Sequence, residues 1–167
     1  FEAAYAAWKI DETLDAIGII TPLAQADDLR MALQAIEALG RIGPPAKAAV
    51  SVLERLRHGD DKLKAVAAVW AIFEIEQASG LAPKLVQGLN SGDARVRAGS
   101  AWALWKTSTR LEAARPRLRT VRDDEHEHML ARWFAAMALA RQAGTEPSDR
   151  SRDPRDWESF WPVDRGQ

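Results

Sequence analysis

The chain has no cysteine among its 167 residues. Without thiols it can form neither a disulfide framework nor a thiolate metal site, and it has no cysteine nucleophile. This composition fits a reducing compartment, so we predict a cytoplasmic protein. No apolar run approaches the ~20 residues of a membrane-spanning helix, so we expect no membrane partner.

An excess of charge of one sign is also lacking. Lys and Arg number 23 against 24 for Asp and Glu, which gives a formal net charge of −1. This balance provides no broad attraction to a phosphate backbone. We therefore do not expect nucleic acid to be the partner.

The known catalytic signatures are missing as well. The sequence contains no glycine-rich phosphate loop, no Gly-x-Ser-x-Gly and no His-Glu-x-x-His. We predict no catalytic residues, no metal and no cofactor in this chain. Because it begins at Phe1, inside a helical pattern, we interpret it as the carboxy-terminal part of a longer protein.

The sequence does contain a repeat. Four blocks, each preceded by an alanine, align at steps of 32, 33 and 32 residues. The blocks are Ala7-Trp8-Lys9-Ile10, Leu39-Gly40-Arg41-Ile42, Ile72-Phe73-Glu74-Ile75 and Leu104-Trp105-Lys106-Thr107. A fixed period is typical of stacked units that bury their apolar faces against their neighbours. Strand-like alternation is absent, so the predicted fold class is all-α, an α-solenoid.

Each unit has a helix start that can be read from the sequence. Asp28, Asp61 and Asp93 precede apolar stripes and can accept hydrogen bonds from the first backbone N–H groups of a helix. We therefore predict helices over residues 28–42, 61–76 and 93–107. The second helices are predicted over residues 13–25, from Gly43-Pro44-Pro45, and over residues 79–89 and 110–122. Pro22, Pro83 and Pro116 lie within or near these helices and predict that they are short or kinked.

Two segments carry a family resemblance. Asp93-Ala-Arg-Val96-Arg97 stands before Ala103-Leu104, and Ala38-Leu39-Gly40-Arg41-Ile42-Gly43-Pro44 is followed by Ala46 and Ala49-Val50. These segments resemble HEAT repeats, especially the short bacterial type of phycobilisome-lyase-like proteins. The resemblance covers residues 1–143. It implies about four and a half antiparallel helix pairs in a right-handed superhelix, with the helix after each Asp on the concave side.

Aromatic residues recur in two columns on these predicted concave helices. With Ala103 facing the core, Trp105 points away from it and Trp102 lies on the flank. The second unit interrupts the two columns, because it has Glu37 and Gly40 at these positions instead of aromatic residues. A mostly basic column runs beside them. Since aromatic side chains dominate binding hot spots, we predict a ligand-facing surface. Its residues are Tyr5, Trp8, Lys9, Arg41, Trp70, Phe73, Trp102, Trp105 and Lys106. The alternative is that each ring fills the gap to the next unit's helix.

The run Asp123-Asp124-Glu125-His126-Glu127-His128 has the residue types of a metal site. Positions two apart on a helix do not share a face, so His126 and His128 would diverge. Acidic residues also favour a helix start without any metal. We interpret the run as a solvated helix start.

The last part of the chain changes character. Residues 144–156 are polar and rich in helix breakers, which indicates a linker, and residues 157–167 form an aromatic tail. Trp157, Phe160 and Trp161 share one face at helical spacing. We predict that these three rings cap the final unit near Trp133, Phe134 and Met137. Docking on a partner is the alternative.

Together these features favour a non-catalytic scaffold or adaptor that binds a protein or peptide on its concave face. The resemblance leaves two alternatives open. One is a HEAT appendage of a larger enzyme, for example a bilin-lyase-like protein. The other is a nucleic-acid-binding HEAT-like protein or DNA glycosylase, for which Glu37 and Glu74 near the aromatic columns would supply the carboxylates.

Overall fold

A computed structural model describes residues 16–107 and 111–145, and all regular structure within these ranges is helical. This confirms the predicted all-α class for the described part of the chain. Short and long helices alternate along it. They are α1 (Ala16–Leu23), α2 (Leu29–Ile42), α3 (Val50–Arg57), α4 (Lys62–Glu76), α5 (Ala82–Gly88), α6 (Ala94–Lys106), α7 (Arg115–Asp123) and α8 (Met129–Ala143).

Three of the long helices begin where the sequence predicts. The carboxylate of Asp28 accepts a hydrogen bond from the N–H of Met31 at 2.8 Å, which caps α2. Asp61 caps α4 through Leu63 and Lys64, and Asp93 caps α6 through Arg95. The predicted starts are therefore confirmed. Each cap is a local interaction that satisfies a backbone donor left without an intrahelical partner.

The second helices α3, α5 and α7 are present but shorter than predicted. Segments of 3₁₀ helix, namely Pro44–Ala49, Ser79–Leu81 and Glu112–Ala114, precede α3, α5 and α7. Pro83 and Pro116 lie in the first turns of α5 and α7. A backbone N–H at these positions would have no intrahelical acceptor, so its absence in proline loses no helix hydrogen bond. The helices α3, α5 and α7 have only seven to nine residues, and Pro22 lies inside α1.

The helices pack in a regular order. Each long helix contacts the next long helix along the chain, and each short helix contacts the long helix that follows it. Many alanines and Ser100 are buried together with the large side chains of Ile36, Leu53, Ile72, Leu104 and Leu118. One continuous apolar core therefore runs from α1 to α8.

Candidate functional site

Part of the predicted ligand-facing surface lies outside the described residues, namely Tyr5, Trp8 and Lys9. The aromatic tail also lies outside them, with Trp157, Phe160 and Trp161. Six predicted surface residues can be placed. They are Arg41, Trp70, Phe73, Trp102, Trp105 and Lys106.

Three of these six side chains lie in the core. Trp70 is 2% exposed, Phe73 3% and Trp102 5%. The rings of Trp70 and Trp102 meet edge to face, with their centroids 4.9 Å apart at an interplanar angle of 64°. The prediction that these three rings face a ligand is therefore wrong, since each ring is buried in the core. The alternative, that aromatic rings fill the gaps between units, describes them.

Gly40 accounts for the break in the aromatic column. A Cβ atom at this position would lie 2.5 Å from Cζ3 of Trp70 and 3.1 Å from the Cα of Ala71. Any larger side chain would collide with the indole and with the backbone of α4. The second unit lacks an aromatic residue here because the indole of Trp70 occupies that space.

Trp105 has a different environment. It is half-buried, and its ring contacts two rings of α8: Trp133 at 5.6 Å, edge to face, and Phe134 at 6.0 Å. Trp133 is also half-buried and packs against Phe134 at 5.1 Å. The Nζ of Lys106 lies 4.3 Å from the centroid of the Trp105 ring, in cation–π geometry. We call Trp105, Trp133 and Phe134 the Trp105 cluster.

Charged groups of two long helices interact electrostatically near this cluster. Burial raises the pKa of Glu37 in α2, while the positive charges of Lys106 and Arg41 act on the same pKa in the opposite direction. Lys106 belongs to α6, so the carboxyl-terminal halves of α2 and α6 lie close enough for their charges to interact. We call Glu37, Arg41 and Lys106 the charged patch. Arg41 is exposed, and the other two are half-buried.

The run from Asp123 to His128 is held by contacts within the protein. Arg97 of α6 forms a two-pronged ion pair with Glu127, and its second terminal nitrogen donates to the carbonyl of Ser91 at 2.7 Å. His128 caps α8, where its Nδ1 accepts from the N–H of Leu130. Within residues 16–107 and 111–145, no group of three His, Asp or Glu side chains is placed to hold a metal ion.

Sequence reasoning missed two features of this surface. The sequence predicts contacts of Trp133 and Phe134 with the tail but not with Trp105, although their adjacent positions in the first half of the last helix mark a second aromatic group. The sequence also does not predict the interaction of Glu37 with Lys106, because it depends on tertiary structure.

No family model, no curated protein and no solved structure matches this chain. In the part that the structure describes, no helix is both long enough and apolar enough to cross a membrane. The Trp105 cluster and the charged patch are therefore the features of this chain that bear on its function.

Proposed function

We propose that this protein is a non-catalytic, HEAT-like α-solenoid that binds a protein or peptide through the Trp105 cluster and the charged patch. We also propose a cytoplasmic location, because a chain without cysteine suits a reducing compartment. The partner would present apolar side chains to the rings and an acidic group to Lys106 and Arg41.

The packing order supports the solenoid part of this proposal. Three of the four long helices begin with an aspartate cap, and successive long helices contact one another in chain order. Each short helix packs against the long helix that follows it. Nearest-neighbour packing of repeated helix pairs is the organisation of solenoid proteins, which offer an extended face for binding.

The observation that carries the binding proposal is the half-buried state of Trp105. Its ring is fixed by Trp133 and Phe134 on one side and lies under the cation of Lys106. A rigid aromatic ring that keeps an accessible part can anchor a partner at little cost in side-chain entropy. The adjacent charges would orient an acidic ligand.

A selection from a random displayed-peptide library tests this proposal. Peptides selected on the wild-type chain should be rich in acidic and apolar residues. Trp105→Ala should weaken the selected peptides by about 2 kcal/mol, roughly 30-fold in Kd, measured by titration calorimetry. Ile19→Ala is the matched control, because Ile19 is an apolar residue of α1 that is 60% exposed. It should leave Kd unchanged.

Two results would contradict the proposal. One is a set of selected peptides that bind Trp105→Ala and the wild type equally well. The other is tight retention on heparin that falls steeply with salt, which would favour a nucleic-acid partner instead.

A further inference from the structure

The Trp105 cluster lies on α8, the last described helix, and on α6, which packs against α8. No described helix follows α8, which ends at Ala143 with Gly144 in the left-handed conformation. Trp133 and Trp105 keep part of their surface accessible. The end of the described array thus carries an aromatic face that a further segment could cover.

We propose that the chain's own segment 156–164 occupies the Trp105 cluster. This segment, Asp-Trp-Glu-Ser-Phe-Trp-Pro-Val-Asp, carries three aromatic rings at positions 157, 160 and 161. It also carries three acids and no base, which complements the ammonium group above Trp105. The inference deepens the proposed function, because the segment would compete with a partner for the same rings.

The length of chain between the two parts permits this contact. Twelve residues lead from Thr145 to Trp157, and an extended chain of that length spans roughly 40 Å at ~3.3 Å per residue. Trp133 lies ten residues before the end of α8, about 15 Å along the helix axis. The connection therefore reaches the cluster with length to spare.

Tethering also favours this occupant over a free ligand of equal intrinsic affinity. A segment joined by a short connection is present at an effective concentration in the millimolar range. Three apolar rings and matching charge then suffice for high occupancy. A partner would have to displace the segment before it could bind.

The absence of cysteine makes a direct test possible in the 167-residue chain. A nitroxide label on Ser159→Cys should broaden the NMR signals of the Trp105 and Trp133 indoles and of the α8 amides. Signals of α1, at the other end of the described array, should remain sharp. The control carries the same label in a chain with Trp157→Ala, Phe160→Ala and Trp161→Ala, in which the selective broadening should disappear.

Several outcomes would overturn the inference. Broadening that persists without the three rings, or that spreads evenly over the array, would show that the segment does not select the cluster. Broadening of an isotope-labelled chain by a separate spin-labelled chain would identify a second copy as the occupant. Circular dichroism melting of each variant verifies that it is folded.

The same variants separate this inference from the proposed function. If the segment occupies the cluster nine-tenths of the time, removing its three rings should raise the apparent affinity for the selected peptides about tenfold. Unchanged affinity with intact peptide binding would refute the inference and leave the proposed function standing. If no peptide binds either chain while the spin-label result is positive, the proposed function fails and the inference stands.

Discussion

The Trp70–Trp102 pair and the Trp105 cluster use the same residue type in equivalent helices but in opposite environments. The first pair is closed, because α2 offers Gly40 at the point where the indole of Trp70 arrives. In the Trp105 cluster, Trp105 stays half-buried, since α8 places the rings of Trp133 and Phe134 against it rather than a glycine. A tryptophan in this array is therefore core or surface according to the residue that the neighbouring helix places opposite it.

The largest expected effect is on the closed pair. Trp70→Ala should lower the free energy of unfolding by about 3–5 kcal/mol, as deletion of a fully buried large ring does. Urea unfolding followed by circular dichroism measures this change. A cost below about 1 kcal/mol would mean that the ring is not enclosed as described.

The next prediction compares two helical glycines. Gly40→Ala should destabilise by about 1–3 kcal/mol, because overpacking against Trp70 and the backbone of Ala71 outweighs the gain in helix propensity. Gly99→Ala in α6 is the matched control, since its Cβ would lie 3.7 Å from Leu63, an ordinary contact distance. It should be neutral or stabilise by up to ~1 kcal/mol. Equal effects of the two changes would remove the steric explanation of the closed pair.

Trp105→Ala should affect stability less than Trp70→Ala. Trp105 contacts Trp133 and Phe134 but keeps part of its surface accessible, so we expect a loss of about 1–2 kcal/mol in the free energy of unfolding. Its peptide affinity should fall roughly 30-fold. A stability loss as large as that of Trp70→Ala, with unchanged peptide affinity, would place Trp105 among the core residues.

The smallest expected effect concerns the carboxylates. Burial raises the pKa of folded Glu37, so the wild type should lose stability as pH rises from about 4.5 through that higher value. Glu37→Gln should remove this loss and be slightly more stable at neutral pH. Hydrogen bonds from Arg97 lower the pKa of folded Glu127. The ionised carboxylate therefore stabilises the fold at neutral pH, and this stability is lost as the pH falls. Glu127→Gln should be less stable at neutral pH, and that difference should vanish in acid. Thermal melts from pH 3 to 8 measure both.

The sequence predicts the helix starts well because each depends on neighbouring residues. The caps of Asp28, Asp61 and Asp93 need only a backbone N–H two or three positions away. Proline positions likewise indicate that the second helices are short, although they do not reveal the 3₁₀ segments before three of them.

The environment of each ring could not be predicted in the same way. All nine residues from Ala67 to Ile75 in α4 are buried, so apolar spacing assigns no single inward face to this helix. The burial of Trp70 follows from Gly40 of α2 and Trp102 of α6, which lie against its ring. The influence of Lys106 on Glu37 likewise depends on how successive helices pack, and no motif encodes it.

The guanidinium of Arg97 joins the starts of α6 and α8, by pairing with a carboxylate thirty residues further along the chain. It donates hydrogen bonds to the carbonyl of Ser91 before α6 and to the carboxylate of Glu127 before α8. The side chain of Arg97 is only 19% exposed, and that of Glu127 only 5%. Neither helix start can open without breaking bonds that also hold the other. Local unfolding of α6 and α8 should therefore be cooperative at their amino ends, with their amides exchanging hydrogen as a single unit.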